Sequence, residues 1–229
     1  PKGRESRMSY SMVKRLVLKD WYFLRFPIAG YVAAGALSLA LISAGGSGLS
    51  FAGSILLVTI LISVGIHLAM LTVINERKEQ TLSFVMSLPI STREYTIAKI
   101  LANLLIFLVP WVTLLAGALA LLWIGNAGGM IPFITIVLTE IFVSYCLILS
   151  VALVSESQNW TIFAIVLGNL FFNGFLYYVS HLPSIASAMK GHAVIWSQAP
   201  VTLLAAEIAA IVLLLGLTLF FQGRKTDFL

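Results

Sequence analysis

One stretch decides the fold class: FPIAGYVAAGALSLALISAGGSGLSFAGSILLVTILISVGIHLAMLTVIN, residues 26–75, contains no Asp, Glu, Lys or Arg in 50 consecutive positions. A helix that crosses a bilayer needs about 20 apolar residues, so this stretch holds two crossings. The glycines at 45, 46 and 48 mark the turn between them, because glycine clusters interrupt helices. The sequence therefore predicts a membrane protein built from helices.

The composition of the whole chain agrees with this prediction. Of its 229 residues, 60% are hydrophobic and 10% are charged, whereas soluble domains have about 45–50% and about 25%. A soluble enzyme or a nucleic-acid-binding module is therefore a poor fit, although the net charge is +5. The single cysteine, Cys146, excludes an internal disulfide framework and a cysteine zinc cluster.

Further apolar segments predict four more crossings and so an all-α polytopic membrane protein. We expect a single transmembrane domain over residues 27–222. Its six spans are predicted at 27–44, 53–74, 97–124, 131–154, 160–180 and 201–222.

The basic residues predict the orientation of these spans. With six spans, 13 of the 14 Lys and Arg residues fall on one side and only Lys190 falls on the other. Because basic residues accumulate on the cytoplasmic side, we expect both termini there. An odd number of spans would divide the basic residues between the two sides.

Three segments outside the spans have predictions of their own. Residues 1–8 are expected to be disordered or foreign to a native start at Met8. Residues 9–26 predict an interfacial amphipathic helix, in which Asp20 interrupts the apolar stripe and which Pro27 ends; the alternative is a cytoplasmic extension of the first span. Residues 181–200 are mildly apolar and are expected to form an interfacial or re-entrant segment on the outer side.

The only sizeable polar loop lies between the second and third spans, over residues 75–96. With the start of the third helix it reads NERKEQTLSFVMSLPISTREYTIAK, residues 75–99. It predicts a short helix that Pro89 ends, followed by a capping box of Ser91 and Glu94 that starts the next helix. Apolar side chains on a helix outside the bilayer need a partner surface.

These loop residues resemble those of the ABC-2 type permeases, the membrane subunits of ABC exporters. The resemblance is carried by the stretches at 76–82, ERKEQTL, and at 87–91, SLPIS, by Arg93, Glu94 and Lys99, and by the short basic tail at 222–229, QGRKTDFL. Six spans, an amphipathic helix before the first span and a longer outer segment before the last also match that family. The resemblance implies the ABC-2 (type V) exporter fold, in which the helix at 9–26 is the elbow helix.

The resemblance also implies a role for the loop. Its short helix would be a coupling helix that contacts a separate ABC ATPase, through Glu76, Glu79, Gln80, Thr81, Leu82, Phe84, Val85 and Met86. This chain lacks the G-x-x-x-x-G-K-[ST] loop of an ATPase, so ATP and Mg would bind to the partner and no cofactor to this chain. A second permease copy, as a homodimer or heterodimer, and membrane lipids complete the expected partners. The expected location is the bacterial cytoplasmic (inner) membrane.

Several polar side chains within the predicted spans are candidates for a translocation pathway. They are Glu140, Asn169, Asn173, Glu207 and His67. A charged group at the centre of a bilayer costs about 2.5–3.5 kcal/mol on insertion scales, so it faces a bundle interior or an aqueous cavity. The functional interpretation is a pathway or a proton-sensitive gate, and the alternative is ordinary hydrogen bonding between helices. No metal site is expected.

The function expected from the resemblance is export of an amphipathic substrate, such as a peptide, drug, lipid or glycan. Two alternatives stay open. One is a polytopic intramembrane enzyme that uses Glu140 and His67, or a serine protease based on Gly45-Gly46-Ser47-Gly48, although a glycine-rich turn explains those residues without chemistry. The other is a signalling or assembly subunit that has the exporter fold but transports nothing.

Overall fold

The computed structural model describes residues 2–76 and 92–224, and within them the side chains at 14–15, 17–76 and 96–224. This part of the chain is helical and has no strand. Seven α-helices form it: α1 (Lys2–Ser43), α2 (Ser47–Ala69), α3 (Thr92–Ile124), α4 (Ile131–Ser155), α5 (Gln158–His181), α6 (Pro183–Ala188) and α7 (Gln198–Gly223). A π-helical segment, Met70–Asn75, extends α2, and a 3-10 turn, Gly128–Met130, precedes α4.

Six of the helical segments are long and apolar enough to cross a membrane, which confirms the predicted number. They are Val17–Ser43, Ser47–Asn75, Thr96–Ile124, Gly128–Ser155, Gln158–His181 and Gln198–Gly223. The first begins ten residues earlier than the predicted span at 27–44, because α1 is continuous. The third helix, predicted to begin near Ser91, has Thr92 as its first described residue.

The six long helices alternate in direction along the chain. We call the end where α2 finishes and α3 begins the loop end, and the end that holds residues 44–46 and 125–130 the turn end. Helices α4 and α7 both run from the turn end to the loop end, so they pack against each other in parallel. Helix α1 packs mainly against α2 and α3, and α4 packs against α2, α3, α5 and α7.

Helix α4 forms the centre of the bundle. Its inward side chains join those of α2 and α3 in one hydrophobic core. The rings of Phe107 and Tyr145 stack with their centroids 4.1 Å apart, and the Trp111 indole N–H donates to the Leu138 carbonyl at 2.7 Å. A Cβ added to Gly65 would lie 3.0 Å from the Tyr145 ring, so this glycine permits the close approach of α2 to α4.

The predicted helix break at Pro27 is wrong. Helix α1 continues through Pro27 from Lys2 to Ser43. Proline removes one helical hydrogen bond, but packing of the helix on both sides of it offsets this loss. Leu24 and Ile28 are both buried in the common core, which holds the two halves of α1 against the same neighbours. The elbow-like half of α1 is therefore a direct extension of the first span in this structure, as in the alternative interpretation.

The turn end is closed by tight backbone packing. Gly45 and Gly46, with φ of +77° and +87°, connect α1 to α2. The Gly129 N–H donates to the Gly191 carbonyl at 3.2 Å, and a Cβ at Gly129 would overlap the Ala188 carbonyl oxygen at 2.0 Å. The segment predicted at 181–200 contains α6, whose Ile185 is buried, so this segment packs back onto α4, α5 and α7.

Candidate functional site

Four charged side chains meet at the loop end, and we call them the ion cluster: Lys19, Asp20, Glu76 and Lys99. The Lys99 ammonium lies 2.8 Å from Asp20 Oδ2 and 2.7 Å from Glu76 Oε2. The Lys19 ammonium lies 3.1 Å from Glu76 Oε1 and 3.6 Å from Asp20 Oδ1. The cluster has two positive and two negative groups, and it joins α1, the π-helical segment and α3.

The members of the ion cluster differ in exposure. The side chains of Lys99 and Asp20 are 4% and 6% exposed, that of Glu76 is 18% exposed and that of Lys19 is 55% exposed. Breaking a buried pair by removing one partner costs about 3–5 kcal/mol, because it leaves an uncompensated buried charge. An exposed pair contributes about 0.2–1 kcal/mol. Lys99 with Asp20 is therefore the structural centre of the cluster, and Lys19 lies at its edge.

Hydrogen bonds extend the ion cluster into the bundle. Asn103 is fully buried, and its amide donates to the Lys99 carbonyl at 2.9 Å. Its side-chain oxygen accepts from the Thr72 hydroxyl at 2.7 Å, and its carbonyl accepts from the Tyr145 hydroxyl at 3.0 Å. Thr72 belongs to the π-helical segment, a local structure that is frequent at functional sites. A chain of polar contacts thus connects the two ends of the polar loop to α4.

Most of the predicted ATPase contact lies outside the described residues. This holds for Glu79, Gln80, Thr81, Leu82, Phe84, Val85 and Met86. Glu76 is described, and its carboxylate is engaged by Lys19 and Lys99 at the loop end. Glu76 and Lys99, which carry part of the family resemblance, therefore lie against each other where the loop leaves and rejoins the bundle.

Two candidate pathway residues, Glu140 and Glu207, lie together inside the bundle. Each is the tenth residue of its helix, on α4 and α7 respectively. Because these helices are parallel and rise about 1.5 Å per residue, both carboxyl groups lie at a similar depth, about 14 Å from the helix starts. Glu140 is 3% exposed and Glu207 is 5% exposed, and the two helices that carry them pack closely against each other.

The two carboxyl groups differ in their hydrogen bonds. Glu140 Oε1 accepts a long bond from the Ser144 hydroxyl, at 3.4 Å. Both carboxyl oxygens of Glu207 are buried and have no hydrogen-bond partner among the described residues. Ser144 also lines a small cavity of about 20 Å³ between α2, α4 and α5, which is room for a water molecule and far too little for an organic substrate.

The other predicted pathway residues are engaged locally. Asn169 lines the same cavity as Ser144, and its amide donates to the Ile165 carbonyl of its own helix. Asn173 is exposed and donates to the Asn169 carbonyl at 2.7 Å. His67 Nδ1 bonds to the Tyr31 hydroxyl at 2.9 Å, and no contact joins it to Glu140 in the described part. The structure therefore places Glu140 and Glu207 on two packed helices, places Asn169 at the cavity that Ser144 lines, and leaves Asn173 and His67 apart.

The histidines and Ser47 lie apart from one another and from the buried acids in the described part of the chain. They include no group of three or more His, Cys, Asp and Glu that could hold a metal ion. Ser47 begins α2 after a glycine turn and hydrogen-bonds to no histidine among these residues. His181 bonds to the Tyr177 carbonyl, and His192 to the Asn126 carbonyl.

Three residues of the ion cluster, Lys19, Asp20 and Lys99, were not among the predicted site residues. Asp20 is, in the sequence, an interruption of an apolar stripe, and the two lysines are among the basic residues that indicate topology, although Lys99 also belongs to the loop motif. An acidic residue on the apolar face of a helix must be paired with a cation or neutralised by a proton, and that rule was a signal for the pair of Asp20 with Lys99. Its partner could not be chosen, because 79 positions separate the two residues in the chain.

Comparison of this chain with protein families, with curated proteins and with solved structures finds no match.

Proposed function

We propose that this chain is the membrane subunit of an ATP-driven exporter of the ABC-2 type. It would move an amphipathic substrate, such as a peptide, drug, lipid or glycan, out of the cytoplasm, and a separate ATPase would hydrolyse ATP. Six membrane-spanning helices, basic residues that fall on one side and the loop motif from Glu76 to Lys99 support this proposal together.

The observation that carries the proposal is the geometry of the loop end. A loop that transmits force from an ATPase must be connected firmly to the helices that move. The ion pair of Glu76 with Lys99 joins the two ends of the loop at 2.7 Å, and Asp20 connects both to α1. A simple connector between two helices needs no such buried cluster.

The contacts of the ion cluster suggest how ATP binding by the partner would move the helices of this chain. ATP binding by the partner biases one of two arrangements of the loop, and the ion cluster passes that bias to α1, the π-helical segment and α3 as one unit. Asn103 and Tyr145 extend the same connection to α4, which lies at the centre of the bundle. Domain and helix movements of this kind are a common form of switching.

Co-purification tests the proposal. We expect the tagged chain, expressed with a P-loop ATPase encoded beside it, to retain that ATPase during purification in mild detergent. Changing Leu82 and Phe84 to Asp should abolish the pairing while the chain still inserts into the membrane. The matched control changes Ser83 and Ser87 to Asp, which adds the same charge and should leave pairing intact.

Two results would contradict the proposal. Pairing that survives L82D together with F84D would show that this segment is not the ATPase contact. Failure of every neighbouring ATPase to pair with the unaltered chain, under conditions in which the chain is folded, would favour a subunit that acts without ATP.

A further inference from the structure

We propose that Glu140 and Glu207 form a proton-binding site inside the membrane, in which two carboxyl groups share a proton. The site takes its proton from the aqueous phase: a carboxylate oxygen forms an O–H bond, and hydronium becomes water. This inference is independent of the proposed exporter function, because it concerns the resting chain and requires no ATPase.

The position of the pair is the first observation. Both residues are the tenth of a membrane-spanning helix, and these helices pack in parallel. The Ser150 hydroxyl donates to the Leu214 carbonyl, 64 positions away, and the Gln222 amide donates to the Leu153 carbonyl, 69 positions away, so these two contacts between α4 and α7 bracket the 67 positions that separate Glu140 from Glu207. The carboxyl groups therefore lie at one depth, about 14 Å from the turn end by helical rise, where a bilayer provides no water.

Glu207 lacks hydrogen bonds to its carboxyl group in the described part of the chain. Both of its carboxyl oxygens are buried, and neither has a partner in the described part of the chain. A buried ionised carboxylate is normally paired or hydrogen-bonded, and an intramembrane acid that meets neither condition is stable only in its neutral form. A proton on the pair also supplies a donor, so that one carboxyl can hydrogen-bond to the other.

The basic and titratable side chains near the pair contact partners other than Glu140 and Glu207. On the helices packed against α4, His67 bonds to Tyr31, Lys99 pairs with Asp20 and Glu76, and the Arg224 guanidinium lies over the Phe220 ring. At the turn end of α5, His181 bonds to the Tyr177 carbonyl and Tyr178 is exposed. On α4 itself, Tyr145 donates to Asn103 and Cys146 is a buried free thiol. No cation of the described residues reaches either carboxyl group.

The chemistry of the pair identifies the ligand as a proton. Two carboxyl groups at close range repel each other when both are ionised, and such a pair characteristically retains one proton. Metal ions such as Ca²⁺ take six or more oxygen ligands, and among the described residues Ser144 is the one side chain that hydrogen-bonds to either carboxyl group. The nearby cavity of about 20 Å³ is too small for an organic ammonium group.

Infrared spectroscopy of the purified chain in lipid nanodiscs at neutral pH tests this proposal. We expect a protonated-carboxyl C=O band that lies above the carboxylate region and shifts in D₂O. Glu140→Gln and Glu207→Gln should each shift that band, because the remaining carboxyl has a new partner, and the double variant should lose it. Glu156→Gln is the matched control, since this acid follows α4 at the loop end, and it should leave the band unchanged.

Three outcomes would overturn the proposal. Absence of any protonated-carboxyl band from the unaltered chain would mean that both acids are ionised, and this result needs no variant to fold. Persistence of the original band in the folded double variant would assign the proton elsewhere. Loss of the band when sodium chloride replaces choline chloride at equal ionic strength would identify a metal cation as the ligand.

Discussion

The ion cluster and the Glu140–Glu207 pair place acidic side chains in the interior of one bundle, but they balance charge differently. In the ion cluster each carboxylate has an ammonium group within 3.1 Å. In the acid pair, Ser144 is the one hydrogen-bond partner among the described residues, and it donates to Glu140 alone. A buried acid in a helical membrane protein can thus be neutralised in two ways: by a cation from another helix or by protonation of its carboxyl group.

The difference has consequences for substitution. Removing the cation from the ion cluster creates a buried unpaired charge, whereas neutralising an acid of the pair removes one. The two regions should therefore respond with opposite signs to changes that appear similar.

The largest effect is expected for Lys99→Met. This change retains the apolar stem but leaves Asp20 buried without its cation, so the free energy of unfolding should fall by about 3–5 kcal/mol. Thermal unfolding of the purified protein, followed by intrinsic fluorescence, measures the loss. Adding Asp20→Asn to Lys99→Met should restore part of it, and a double variant no more stable than Lys99→Met would contradict a direct coupling of the two residues.

A smaller effect of opposite direction is expected for Glu207→Gln. The amide has nearly the shape of the carboxyl but carries no charge and can donate a hydrogen bond to Glu140, so stability should be unchanged or slightly increased. The same unfolding assay measures it, with Asp20→Asn as a comparison that removes a paired acid and should destabilise. Destabilisation by Glu207→Gln as large as that by Lys99→Met would mean that the Glu207 carboxylate has a cationic partner.

A small loss of stability is expected for Lys19→Met. This side chain is 55% exposed, so its ion pairs contribute about 0.2–1 kcal/mol. Added salt should weaken the contribution of Lys19 and leave that of Lys99 nearly unchanged. Equal losses from Lys19→Met and Lys99→Met would contradict the assignment of Lys99 as the centre of the ion cluster.

The sequence alone predicts the number of membrane-spanning helices because charge-free segments are long and local. It also predicts that Glu140 and Glu207 face the interior of the bundle, since placing an acidic side chain in a bilayer costs free energy. Their proximity is not a local property: it follows from the parallel packing of α4 and α7, which no periodicity indicates. Asn173 and His67 carry the same sequence signal as Glu207, yet their side chains find partners nearby.

Two errors have a common physical cause. Pro27 predicts a helix end and Asp20 predicts a flaw in an amphipathic face when only the segment 9–27 is considered. Both predictions neglect packing against α2 and α3, which buries Leu24 and Ile28 around Pro27 and pairs Asp20 with Lys99. Tertiary contacts therefore allow α1 to continue through Pro27 and give Asp20 a partner on another helix.

The most direct test of the proposed exporter function is ATP hydrolysis by the neighbouring ATPase reconstituted with this chain in lipid vesicles. A panel of peptides, drugs, lipids and glycans is added, and hydrolysis is compared with that of vesicles containing the L82D and F84D variant. We expect at least one amphipathic compound to stimulate hydrolysis with the unaltered chain and not with the variant. Hydrolysis that is the same with the chain, with the variant and without either would contradict it.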